Sequence, residues 1–169
     1  GWRYWQSHQQ AEMTGASQSY QQASEALTGG KADGVALAEK FIEKNANNYG
    51  VLAALQLAQH EVDQKNFAKA EQQLAWAQGQ TKDENLKSLI DLRLARVQLQ
   101  ENKLDDALKT LDLIKATGWV AMAQDIRGDV LVKKGDVKGA REAYSKGLAS
   151  DASQSLQGLL RMKLNNLSN

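Results

Sequence analysis

The chain has 169 residues, with 21 lysines and arginines against 20 aspartates and glutamates and a formal net charge of +1. One domain of this size can bury roughly two-thirds of the surface its unfolded chain exposes, and the charge balance excludes the strong field that gathers nucleic acid or another polyanion. Cysteine is absent, which excludes disulfides, a thiol nucleophile and the usual structural zinc sites.

No run approaches the ~18–20 apolar residues of a membrane span. The sequence starts at Gly1 rather than methionine, and we expect a piece of a longer protein. The lack of proline, the prominence of Ala, Leu, Gln, Glu and Lys, and the absence of period-two alternation predict an all-α chain.

The opening GWRYWQSHQQ sets Trp2, Tyr4 and Trp5 beside Arg3, with Gln6, Gln9 and Gln10 separating them from the next apolar residues. Such rings suit a membrane–water interface, where the polar edge stays wet; a docked or disordered tail is the alternative. Met13, Ala16, Tyr20, Ala23 and Leu27 then form one helical stripe that Thr28–Gly30 stops. Val35, Ala38, Phe41 and Ile42 form the inner face of a second helix, which ends at NANNYG. This pair, 13–47, is read as a degenerate repeat.

Three segments next align without gaps: KNFAKAEQQL at 65–74, NKLDDALKTL at 102–111 and GDVKGAREAY at 135–144. Each has a turn, an apolar residue (Phe67, Leu104, Val137), an alanine three later (Ala70, Ala107, Ala140) and a large residue four beyond (Leu74, Leu111, Tyr144). Twelve residues before each alanine stands another small residue, Ala58, Ala95 or Gly128, and both columns repeat at spacings of 37 and 33. Small residues let two antiparallel helices cross closely while larger neighbours fill the flanks. The units are therefore helical hairpins, over about 50–80, 86–116 and 119–150. Leu156, Leu159, Leu160 and Leu164 stripe a final helix, 152–167, that caps the end.

The hairpins resemble the tetratricopeptide repeat, a helix–turn–helix unit of about 34 residues. Leu57-Ala58 and Leu94-Ala95 match its first-helix signature, while Arg127-Gly128, the missing closing prolines, and Ala54, Asp91 and Gln124 in place of tryptophan depart from it. The expected fold is a right-handed α-solenoid of about four hairpins plus the cap, spanning 13–169. By analogy with such repeats, a partner-binding groove is expected along the first helices: Leu52, Leu55, Gln59 and Val62, then Leu89, Leu92, Arg96 and Leu99, then Met122, Asp125, Asp129 and Val132. The helix LKSLIDLRLARVQLQ has apolar residues on two sides, Leu89–Leu92–Leu99 and Ile90–Leu94–Val97. That fits either a groove or a helix sandwiched between repeats.

Catalytic chemistry finds little to stand on. His8 and His60 belong to no ligand spacing. TGGKAD lacks the earlier glycine and the Ser or Thr of a phosphate loop and reads as a helix stop. Asp83-Glu84 and Asp105-Asp106 suit helix starts, and Asn166-Leu167-Ser168 is a sequon only formally. We expect no enzyme, no cofactor, no metal and no small-molecule substrate.

GWRYWQ followed by a Gln- and Ala-rich helix, AEKFIEKN, the AxxxL/AxxxY hairpins and the terminal LLRMKLNNL together resemble the bacterial YfgM family, the ancillary subunit of the SecYEG translocon. The resemblance runs along the whole chain. It implies a single transmembrane helix ending just before Gly1, a periplasmic repeat domain at the bacterial inner membrane, and association with SecYEG, the membrane-anchored chaperone PpiD and translocating chains. Residues 1–12 are then a juxtamembrane stalk, with Trp2, Tyr4 and Trp5 membrane-proximal. The other reading is a soluble tetratricopeptide adaptor for another envelope complex or a stress-signalling regulator.

Overall fold

A computed structural model describes residues 18–29 and 33–167. Trp2, Tyr4, Trp5, Met13 and Ala16 lie outside them. The described residues are helical with short connections and contain no strand, as the sequence predicts. The chain divides into two compact units, Gly1–Thr81 and Lys82–Asn169, which are taken in turn.

The first unit holds α1 over residues 18–28, α2 (Gly34–Lys44), α3 (Asn48–Asp63) and α4 (Phe67–Gln80). Ala23 and Leu27 of α1 and Ala38, Phe41 and Ile42 of α2 are buried, which is the stripe read from the sequence. Tyr20 anchors α1 by packing obliquely on Phe41 and Tyr49 and accepting a 2.9 Å hydrogen bond from Gln56 Nε2 on α3. The α3–α4 hairpin closes over Ala58 and Ala70, both buried, with Leu57 and Leu74 sealed beside the crossing.

In the second unit α5 (Glu84–Gln100) pairs with α6 (Leu104–Asp112), and α7 (Val120–Lys134) pairs with α8 (Val137–Ala149). A 3₁₀ turn at Thr117–Trp119 leads into α7, and α9 (Gln154–Leu167) follows. The first helices α5, α7 and α9 also touch one another in sequence. Ala95, Ala107 and Ala140 are fully buried. At Gly128 even a Cβ would run into the Tyr144 ring, so only glycine admits this crossing. Leu156, Leu160 and Leu164 pack α9 onto α8, whereas Leu159, expected in that stripe, faces solvent.

The three hairpin turns are the same object. Lys65, Asn102 and Gly135 each adopt left-handed backbone, with φ of 63°, 63° and 87°. The next amide donates five residues back, Asn66 to Glu61 O at 2.7 Å, Lys103 to Gln98 O at 2.8 Å and Asp136 to Leu131 O at 2.9 Å. This 6→1 bond, with the 5→2 bond beside it, satisfies carbonyls that a helix end leaves open. The starts of α3, α5 and α8 are capped by side chains. Asn47, Asp83 and Asp136 accept from Gly50, Leu86 and Gly139 amides respectively.

Candidate protein-binding surface

On α3 the expected groove residues divide by depth. Leu52 is 38% exposed, Gln59 is exposed and donates to Asp63 Oδ1 at 3.0 Å, Val62 is half-buried, and Leu55 is buried at 5%. Spacings of three and four residues walk a row partly around the helix, so one member in four falls into the interior.

The second unit shows the same division by depth. Leu92 is buried within the cluster of Ala95, Ala107, Leu111 and Ile126, while Leu99 and Met122 are half-buried against it. Both apolar sides of α5 are packed, since Ile90, Leu94 and Val97 are buried as well. For Leu92 the sandwiched-helix alternative is therefore the correct one. Arg96 and Val132 are exposed, Val132 at 42%, and Leu89, Leu99, Met122 and Asp129 reach solvent in part.

Asp125 and Asp129, expected as polar anchors for a partner, are already engaged. Lys163 of α9 donates to Asp125 Oδ1 at 2.7 Å and to Asp129 Oδ2 at 3.0 Å. Tyr144 of α8 donates its hydroxyl to Asp129 Oδ1 at 2.6 Å, and the Lys163 ammonium lies 5.8 Å from the Tyr144 ring centroid. Three helices thus meet at one salt-linked cluster of a single cation and two carboxylates. Burial opposes the Lys163 charge, but the hydrogen bonds it donates to two carboxylates, together with their negative charge, outweigh burial and hold the ammonium pKa above its ordinary value. Burial, and then donation to Asp129, pushes the Tyr144 hydroxyl well above the ordinary tyrosine value. Sequence reasoning missed Lys163. Its signal is a register: it stands 34 residues after Asp129, as Leu160 stands 34 after the buried Ile126.

Other charges on the second unit pair across helices. Arg127 binds Asp112, and Lys134 Nζ reaches Asp105 Oδ1 at 2.6 Å, a bond that lowers the Asp105 pKa. Asp105 and Asp106 do occupy the first turn of α6, but the sharper role of Asp105 is this tie to α7. Among the described residues no group of three histidine, cysteine, aspartate or glutamate side chains could hold a metal, and no helix is long and apolar enough to cross a membrane.

Paired helices repeated in register, with a row of first-helix side chains left at the surface, characterise a scaffold for binding other chains. The family described as tetratricopeptide repeat-like domain matches residues 1–169. Over 99% of the chain the sequence is 51% identical to the Ancillary SecYEG translocon subunit of Escherichia coli K12, covering 82% of that protein. The chain belongs to the ancillary SecYEG translocon subunit family. Relatives of the same name in Aggregatibacter actinomycetemcomitans and Haemophilus influenzae are 39% and 36% identical, each over 99% of this chain and 82% of theirs. No solved structure gives a match. Membership in this family, with its tetratricopeptide-like domain, accounts for the hairpins, and the buried small-residue columns show how this member builds them.

Proposed function

We propose that the domain is a non-catalytic protein-interaction module, ancillary to the Sec translocon, that stands on the periplasmic side of the bacterial inner membrane and links translocated proteins to chaperones, PpiD among them. The observation that carries this reading is the full-length likeness to proteins named for the translocon. In this reading a transmembrane helix precedes the domain, residues 1–12 form the stalk, and Trp2, Tyr4 and Trp5 sit at the membrane surface.

Each unit contributes a row of first-helix side chains to partner binding. Leu52, Gln59 and Val62 serve in the first unit, over the buried Leu55. Leu89, Arg96, Leu99, Asp129 and Val132 serve in the second, with Leu92, Met122 and Asp125 supporting them from beneath. Rows that mix apolar side chains with polar ones suit an extended or helical segment of a partner chain.

The test is site-specific photocrosslinking in intact membranes, with probes at Leu52, Arg96 and Val132 and a control at Lys138, exposed on the second helix α8. Adducts with translocon or chaperone subunits from the first three positions and not the control are expected. Adducts from Lys138 alone would move the surface to the second helices, and none from any position would remove the translocon reading. Tryptophan emission that is blue-shifted and lipid-sensitive in the membrane-anchored protein, and lost in Trp2→Ser/Trp5→Ser, is expected from the stalk assignment.

A further inference from the structure

Between α2 and α4 the first unit opens a cleft of about 410 Å³. Glu39, Ile42 and Glu43 line it from α2, and Gln72, Gln73 and Trp76 from α4. Ile42 is buried and Trp76 half-buried, so the base is apolar, whereas Glu39, Glu43 and Gln72 are exposed. The volume falls within the range of about 300–1,000 Å³ in which ligand clefts occur.

The charge in this cleft is unspent. Glu39 and Glu43 stand four residues apart on one face of α2, and neither carboxylate has an ion pair or hydrogen bond with a described residue. Lys40 and Lys44 repeat the same spacing one residue on. Like charges at i and i+4 weaken a helix, where Glu-to-Lys at that spacing would support it. The helix thus gathers two carboxylates at one edge, over the cleft. No lysine or arginine lines the cleft.

We propose that this cleft receives an arginine side chain presented by an extended segment of a partner polypeptide, with the guanidinium over the Trp76 indole and between the two glutamates. The proposal rests on the protein-binding reading above and names the chemistry of one contact. Charge complementarity argues for a cation, and the mixed lining argues for arginine in particular. Its planar head stacks on an indole face while its N–H groups donate to carboxylates and amide oxygens, and its methylene stem covers apolar surface such as Ile42. A lysine ammonium would meet the same carboxylates as a strongly hydrated point charge and leave the indole face less well covered.

The experiment follows the tryptophan indole N–H signals of the ¹⁵N-labelled chain, assigned with Trp76→Phe, during titration with the blocked pentapeptide Gly-Ser-Arg-Ser-Gly. The same peptide with citrulline, neutral but nearly the same shape, and with lysine are the comparisons. Saturable movement of the Trp76 signal is expected with arginine, weaker movement with lysine and none with citrulline. Glu39→Gln/Glu43→Gln, both at exposed positions, should weaken arginine binding by about tenfold or more without lowering the melting temperature. Lys40→Gln should not weaken it. Equal response to citrulline, undiminished binding by the double variant, or no saturation up to about 20 mM peptide would overturn the proposal. Capture of translocon or chaperone subunits by wild type alongside any of those results would overturn this contact and leave the broader reading standing.

Discussion

Single side chains fix the helix crossings and the charged cluster at Lys163. Ala107 is fully buried and Lys109, two residues on, is exposed; Ala107→Trp should cost on the order of 1–3 kcal/mol or more by overpacking, and Lys109→Trp close to nothing, measured as urea midpoints. Gly128→Ala should also destabilise despite alanine's better helix propensity, because the added methyl meets Tyr144. Lys163→Met leaves Asp125, 5% exposed, without its cation, and should cost on the order of 2–3 kcal/mol, less than a fully buried pair would. Tyr144 and Lys163 both have raised pKa values in the folded chain. Their contribution is therefore complete below the unfolded values of about 10 and 10.4 and is lost as pH rises through the folded ones. Stability from urea melts should fall above about pH 10 in wild type and less steeply in Tyr144→Phe. The small-residue columns were legible because a close crossing tolerates only such residues. The cluster was not, because its 34-residue register emerges only when α9 is aligned with α7 as a further first helix, and the leucine stripe of α9 alone does not call for that alignment.

At the scale of elements, the repeated turn carries a testable asymmetry. Lys65, Asn102 and Gly135 share one left-handed conformation, which costs glycine nothing, asparagine little and lysine most. Lys65→Gly should stabilise by about 0.5–1 kcal/mol, Asn102→Gly by less, and Gly135→Ala should destabilise by about 1 kcal/mol, all read as shifts in denaturation midpoint at constant slope. The sequence marked where these turns fall without revealing their common geometry, since three different residues occupy the position. The same limit applies to the candidate sites. Periodicity placed Leu52, Arg96 and Val132 on first helices and they do reach solvent. It placed Leu55, Leu92 and Asp125 there too, although a few tens of degrees of rotation about the axis bury them. The cleft over Trp76 depends on which side chains fail to fill a gap between α2 and α4, and no one-dimensional pattern records a gap.

For the molecule as a whole, the second unit has apolar clusters of its own, one around Leu92 and Ile126 and one around Tyr144 and Leu160. Residues 82–169 expressed alone should give a helical far-ultraviolet spectrum and one cooperative thermal transition; a broad, non-cooperative melt would show that these clusters depend on residues before Lys82. Lys163 also bears on what can follow the last hairpin. Helix α9 meets the last hairpin in the register of another first helix, and it brings a cation to the place where that hairpin offers two carboxylates. A duplicated copy of 120–149 inserted before α9 would bring the counterpart of Asp129 there instead, setting acid against acid at a buried position. The lysine thus makes α9 the better neighbour for the last hairpin and an added copy of that hairpin the worse one.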